Sequence, residues 1–266
     1  MLIAQITDTH IQHGGEQPRY LAEALDAIAA LDPRPDVVLL SGDTVDRGLP
    51  EEYALLRDVL ARCALPLYLV PGNHDRPDAL RTVLPAVHFP GVTHERMHYM
   101  VEAFAVRLIG LDSARAMWPG GIFDAADLAW LDAALAGAPE RPTLIFMHHP
   151  PFRTGVNAAD LFGFRGLRRL HALLEQRPAV RRIIAGHIHC ARSATLGNAL
   201  ATTGISTAPQ RVPEVFEERI IAVRREPAGF TTHRWDGQRF TSTTHVNDGT
   251  GRFSEVPRLV EPVAAR

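Results

Sequence analysis

Short apolar runs alternate with helical periodicity through the first two thirds of the chain. Leu2–Ile6, Val37–Leu40 and Leu67–Val70 read as strands, the last stopped by Pro71 and Gly72. Between them, Tyr20–Leu31 and Glu51–Cys63 repeat apolar residues at helical spacing. Such alternation predicts βαβ units and a parallel sheet. His98–Val101 and Phe104–Leu111 have too little chain between them for a crossover helix, so an antiparallel pair is expected there. A helix at Asp124–Leu135, with Asp124 as its N-cap, a strand at Leu144–Met147, a helix at Leu167–Gln176 and a strand at Arg182–Ala185 complete the alternation. From Ser193 onward the pieces are strand-like: Ala199–Thr203, Arg219–Val223, Phe230–Trp235 and Arg239–Thr244. The final stretch, rich in Pro, Gly and Arg, reads as an arm or loose tail. The expectation is an α/β catalytic core over residues 1–200. A β-rich C-terminal extension, 201–266, would complete the second sheet and serve as a cap or an oligomerisation region.

Polar residues stand immediately after five of these strands. They are Thr7-Asp8-Thr9-His10, Ser41-Gly42-Asp43, Pro71-Gly72-Asn73-His74-Asp75, His148-His149-Pro150-Pro151 and Gly186-His187-Ile188-His189. In an open α/β sheet the carboxyl ends of parallel strands form the ligand-binding edge, so blocks far apart in sequence can converge. Asp8 with His10, and His187 with His189, are two apart and would share a face if the chain is extended. The donors sum to the carboxylates of Asp8 and Asp43, the amide of Asn73 and the imidazoles of His10, His148, His187 and His189. That set suffices for two ions if Asp43 is shared. Nitrogen and oxygen donors without thiolate suit Mn, Fe, Co or Zn, whereas calcium takes more oxygen.

Composition narrows the chemistry. All 28 basic residues of the 266 are arginine, which excludes a Schiff-base lysine and a Walker-type P-loop. A formal charge of -2, with no basic stripe, argues against dedicated nucleic-acid binding. Cys63 and Cys190 are too few for a disulfide framework or a cysteine zinc cluster. No apolar run approaches a membrane span, and MLIAQITDTHI has no signal-like n-region, so a cytoplasmic protein is expected.

Taken singly, each block reads more readily as a turn or a polar loop. Together and in this order, Asp8/His10, Gly42/Asp43, Gly72–Asp75, His148 and Gly186–His189 resemble the calcineurin-like metallophosphoesterases. The segments PEEYALLRDVL, LPLYLVPGNHD and LIFMHHPPF are most similar to bacterial glycerophosphodiesterases and class III cyclic-nucleotide phosphodiesterases, a likeness covering about residues 1–215. The resemblance implies a four-layer αββα sandwich with two divalent transition-metal ions at the sheet edge. It implies Asp8, His10, Asp43 and His189 around one ion and Asp43, Asn73, His148 and His187 around the other. It also implies that His74 faces the substrate as the catalytic imidazole, with Asp46 and Asp75 orienting imidazoles or loop amides.

The expected activity is hydrolysis of a small phosphate diester, glycerophosphodiester-like, by in-line attack of a hydroxide generated between the two ions. The alternatives are a 3′,5′-cyclic nucleotide phosphodiesterase and, further off, a phosphomonoesterase, a nuclease or a non-catalytic scaffold on the same fold. His149, Arg153 and Asn157 are candidate substrate contacts, the last two on a segment able to act as a lid. His13, His88, His94, His98, His171, His233 and His245 are assigned to the surface or to local hydrogen bonds, and Arg181/Arg182 to a solvated face. A homo-oligomer, dimer or higher, is expected through the C-terminal third.

Overall fold

The structure is a computed structural model that describes residues 1–92, 96–115, 118–216, 219–256 and 261–262, with the backbone alone at 157–158, 211–216, 219–226 and 261–262. Its first half runs β1 (Leu2–Ile6), α1 (Gln17–Ala29), β2 (Val37–Ser41), α2 (Pro50–Leu60), β3 (Leu67–Val70), α3 (Pro77–Val83), β4 (Tyr99–Val101) and β5 (Arg107–Leu111). Next come β6 (Gly121–Ile122), α4 (Ala125–Ala136), β7 (Thr143–Met147), α5 (Asn157–Phe162), β8 (Phe164–Arg165), α6 (Leu167–Glu175) and β9 (Val180–Ala185). Strands then follow without helices: β10 (Arg192–Leu196), β11 (Ala199–Thr203), β12 (Gln210–Phe216), β13 (Arg219–Glu226), β14 (Gly229–Trp235), β15 (Phe240–Asn247), β16 (Phe253–Val256) and β17 (Glu261–Pro262).

These strands make two large sheets, ordered β16-β15-β14-β1-β2-β3 and β17-β10-β11-β9-β7-β5-β4. The β1, β2 and β3 pairings are parallel, as are β5–β7, β7–β9 and β9–β11. β4 and β5 pair antiparallel, as their short connection requires. Every residue of β1, β2, β5 and β7 is buried, the mark of strands covered on both faces. Alternation assigns those faces in the second sheet. Leu108, Leu144, Phe146 and Ile184 join one core with Ile3 and Leu39 of the first sheet. Their neighbours Ile109, Ile145, Met147 and Ile183 join the other core with Leu128 and Leu131 of α4 and Leu170 and Leu174 of α6. Leu21 and Leu25 of α1, Leu56 of α2 and Leu80 of α3 pack with the first sheet. The order is therefore helices, sheet, sheet, helices, the αββα sandwich expected from the sequence.

Register then levels the strand ends. Ile6 pairs with Leu40, so Asp8 and Asp43 leave the first sheet side by side. Phe146 pairs with Ile184, so His148 and Gly186 leave the second sheet together. Asp124 caps α4 as read, accepting from the backbone of Ala126 and Asp127 at 2.8 and 3.0 Å. Other expectations are corrected. Phe253–Val256 is no loose tail but a strand against β15. Arg182 is not solvated: it is buried in β9, donating to the Phe240 carbonyl at 3.0 Å. Position 200 falls inside β11, and β14 hydrogen-bonds directly to β1. His94 lies outside the described residues. Among the described residues no helix is long and apolar enough to cross a membrane.

Phe146 is fully buried where the two sheets meet. Phe146→Ala is expected to cost about 3–5 kcal/mol of unfolding free energy, read from urea denaturation. A loss of about 1 kcal/mol or less would show that the inter-sheet core does not rely on it.

Candidate metal centre

The loops that continue β1 and β2 remain stitched together past the sheet. Asp8 N donates to Gly42 O at 3.0 Å, His10 N to Asp43 O at 3.0 Å and Ile11 N to Thr44 O at 3.2 Å. Across the gap, Gly186 N donates to His148 O at 2.9 Å, and His187 N donates to the Asp8 carboxylate at 3.1 Å. Each strand end is thus held by its neighbours.

The backbone there is not extended. Asp8, His10, Asp43, His187 and His189 have φ between 41° and 74°, and they are the non-glycine residues with positive φ among the described residues. Asp and His enter this region more readily than most, yet each such residue costs on the order of 1–3 kcal/mol. The expected shared face of Asp8 with His10, and of His187 with His189, therefore does not arise from strand alternation. Left-handed turns bring Asp8 and His10 together, and they send His187 toward His148 and His149 but His189 toward Asp8 and His10. Gly42 is needed in the same turn: its φ is 88°, and an added Cβ would lie 2.5 Å from His148 Nδ1.

The side chains converge closely. Asp43 Oδ2 lies 3.3 Å from His148 Nε2, 3.7 Å from His10 Nε2 and 3.9 Å from His74 Nε2. His189 Nε2 is 3.4 Å from Asp8 Oδ1 and 3.2 Å from His10 Nε2. Asn73 Oδ1 stands 3.2 Å from His148 Nε2, and the His187 ring centroid is 5.1 Å from that of His148. Donor atoms of Asp8, His10 and His189, and of Asp8, Asp43 and His148, fall within 4.8 Å of one another, as metal sites require.

Donor chemistry tests whether cations fit. His148 Nδ1 donates to the Ser41 carbonyl at 3.0 Å, which leaves Nε2 as a lone pair aimed at Asn73 Oδ1 and Asp43 Oδ2. His10 and His189 likewise point nitrogens at each other. Lone pairs facing lone pairs in a buried space repel unless a proton or a cation lies between them. The residues present fit cations.

The electrostatics carry the same imbalance. Burial favours the protonated form of Asp43, but His148, His10 and His74 outweigh it and hold the carboxyl well below the usual range. For Asp8, burial is outweighed by His189 and His148, and its pKa is also lowered. Burial disfavours a charge on His148, yet Asp43 and then Asp8 push it up to about 9. Burial and the adjacent His148 push His187 down to about 3.

The remaining candidates occupy distinct places. His74 is half-exposed, 4.8 Å from the His10 ring, and its Nδ1 donates to the Asp46 carbonyl at 2.6 Å. Asp46 Oδ1 lies 3.4 Å from His10 Nδ1, without hydrogen-bond geometry. Asp75 has no hydrogen bond or ion pair to an imidazole among the described residues; it accepts from Gly72 N at 2.8 Å, Thr44 N at 3.0 Å and Thr44 Oγ1 at 2.5 Å, tying two of the loops together. Burial and the nearby Asp43 raise its pKa. His149 is buried with its ring 4.6 Å from that of His187 and Nδ1 against Ser113 Oγ at 2.9 Å. Arg153 is exposed, with no hydrogen bond or ion pair among the described residues, and the Asn157 side chain lies outside them.

Several supporting residues were not singled out from the sequence. Thr7 donates to Asp8 Oδ2 at 2.8 Å, Ser206 Oγ to Asp8 O at 2.7 Å, and the Tyr53 hydroxyl lies 3.4 Å from Asp75 Oδ1. Ser113 follows β5, so the strand-end rule applied to that strand would have found it.

A cluster of His, Asp and Asn donors at the edge of an αββα sandwich is the arrangement of a metal-dependent hydrolase. The calcineurin-like phosphoesterase family matches residues 1–191, and the chain belongs to that family, whose members use divalent metals. It is 34% identical to the glycerophosphodiester phosphodiesterase GpdQ of Enterobacter lignolyticus over 256 residues, covering 92% of this chain and 91% of that protein. It is 30% identical to the 3′,5′-cyclic adenosine monophosphate phosphodiesterase CpdA of Escherichia coli K12, over 70% of this chain and 69% of that one. Among solved structures, a dimetal phosphatase from Danio rerio shares the fold, with a TM-score of 0.70 at 16% identity over 92% of this chain and 95% of that one.

Asp75→Ala leaves the Gly72 and Thr44 donors without their acceptor. Stability is expected to fall by roughly 2 kcal/mol or more in chemical denaturation. A change below about 0.5 kcal/mol would mean that these loops hold together without it.

Proposed function

We propose that the chain hydrolyses small phosphate diesters of the glycerophosphodiester type with two divalent transition-metal ions, Mn, Fe, Co or Zn. The observation that carries this reading is the Asp43 carboxylate oxygen facing the nitrogens of His148, His10 and His74 at 3.3–3.9 Å. Asp8, His10, Asp43 and His189 would hold one ion, and Asp43, Asn73, His148 and His187 the other. When bound, two such ions lower the pKa of a water and clamp the phosphoryl oxygens of an in-line displacement.

The chain's own residues supply the rest. His74 Nδ1 is committed to the Asp46 carbonyl, which orients the ring and leaves Nε2 as the atom that exchanges protons. In its protonated form Nε2–H can pass a proton to the leaving alkoxide as its bond to phosphorus breaks. Asp75 holds the Asn73–His74 loop to the Asp43–Thr44 loop. The partners of Asp8, Asp43 and Asp46 in ion pairs among the described residues are imidazoles. A monoester dianion would gain from further fixed cations such as arginine; a diester monoanion needs none. The glycerophosphodiester phosphodiesterases align over 92–93% of this chain, whereas the cyclic-nucleotide enzyme of Escherichia coli aligns over 70%. That lends weight to the first substrate class, with 3′,5′-cyclic nucleotides as the second reading. A homo-oligomer belongs to the same proposal, supported by the separate β12–β13 ribbon outside both large sheets. Light scattering that gives the mass of one chain would contradict it.

With Mn²⁺, bis(p-nitrophenyl) phosphate and glycerophosphoethanolamine are expected to be cleaved faster than p-nitrophenyl phosphate or 3′,5′-cyclic AMP. A clear preference for the monoester would contradict the diesterase reading. Asn73→Ala is expected to lower the bound metal from two ions toward one per chain. Unchanged stoichiometry by elemental analysis would remove Asn73 from the ligand set.

A further inference from the structure

Gln5 is the one polar side chain in the strand LIAQI, and it is 1% exposed. It lies in the space between the two sheets, where apolar contact would be the default. Both amide hydrogens and the amide oxygen have partners. Nε2 donates to Ser41 Oγ at 2.9 Å and to the Ala185 carbonyl at 2.9 Å, while Oε1 accepts from His233 Nε2 at 3.0 Å. His233, fully buried on β14, accepts at Nδ1 from Ser242 Oγ of β15 at 2.8 Å. The donor at each step fixes the next, so the Gln5 amide has one orientation. Its assignment to local hydrogen bonds in the sequence is corrected: the partner of His233 is 228 residues away. Burial, with Arg182 nearby, keeps His233 neutral, its pKa well below the ordinary histidine value.

Both acceptors of this amide stand at the root of a ligand loop. Ser41 directly precedes Gly42–Asp43, and Ala185 directly precedes Gly186–His187. The Ser41 carbonyl accepts from His148 Nδ1 at 3.0 Å and from Thr7 Oγ1 at 3.1 Å. Gly204 N also donates to the Ala185 carbonyl at 2.9 Å, and a Cβ at Gly204 would lie 3.3 Å from the Gln5 amide. One side chain thus ties β1 and β2 of the first sheet to β9 of the second, immediately below the residues that face each other across the centre.

We propose that Gln5 and His233 are a positioning pair that sets the spacing between the two halves of the metal centre. This rests on the dinuclear reading given above. Packed sheets lie about 10 Å apart and tolerate small shifts in that distance. A productive ligand constellation tolerates about 0.5 Å. Apolar packing alone does not enforce that tolerance, whereas a directional amide bridging the sheets does. Through His233 and Ser242, the C-terminal strands reach the centre without contributing a ligand to it.

The test is Mn²⁺ titration calorimetry on full-length His233→Leu, with the unfolding midpoint of the metal-free protein measured alongside. His233→Leu is expected to fold, to bind its weaker ion roughly ten-fold less tightly, and to lose kcat with little change in KM. His233→Gln, which restores an N–H toward Oε1, is expected to recover most of the lost affinity. A lowered midpoint with both ion affinities unchanged would overturn the proposal and leave a purely structural pair. Should His233→Leu fail to fold, Ser242→Ala carries the test: a few-fold weaker ion supports the proposal and unchanged affinity overturns it. Wild-type protein that binds fewer than two ions would instead overturn the dinuclear reading itself.

Discussion

A buried carboxylate facing three imidazoles is the constraint around which this molecule is arranged. Asp43 is 2% exposed, and its Oδ2 points at His148, His10 and His74. Nothing apolar can satisfy that oxygen, and the nitrogen of His148 facing it has its other ring position committed to Ser41. Such a group is stable only with positive charge between the donors. Without metal a proton can take that place, and the same pairing that raises the pKa of His148 lowers that of Asp43. In the proposed function, divalent cations take that place.

Keeping the donors in place falls to two sheets that share a core. Asp8, His10, Asp43 and Asn73 come from loops of the first sheet; His148, His187 and His189 come from loops of the second. Neither sheet alone supplies the whole donor cluster. Five of these seven residues hold left-handed backbone conformations, and the loops that carry them are hydrogen-bonded to one another. Strain concentrated at one edge of an otherwise regular fold is what a preorganised site looks like. The polar layer of Gln5, Ser41, His233 and Ser242 beneath it lies where the apolar core would otherwise be continuous.

Much of this was legible in the sequence because the relevant signals are local. Parallel strands announce themselves as buried apolar runs, and the polar residues that end them stand out against those runs. Asp124 was readable as a cap because the capping interaction spans three residues. Less legible was what depends on distant pairing. The left-handed turns at Asp8 and His189 do not follow from strand alternation, which put His187 and His189 on one face where the structure sends them to different donor groups. Arg182 and His233 read as surface or locally bonded residues because their partners, Phe240 and Gln5, are far away in sequence. The strand Phe253–Val256 is short and polar, and only the edge of β15 makes it a strand.

Anomalous diffraction from crystals grown with Mn²⁺ tests the centre most directly. Two peaks about 3.5–4 Å apart, one on each side of the Asp43 carboxylate, are expected. One ligand shell should contain Asp8, His10 and His189, and the other Asn73, His148 and His187. A single peak, or a pair away from Asp43, would contradict the account.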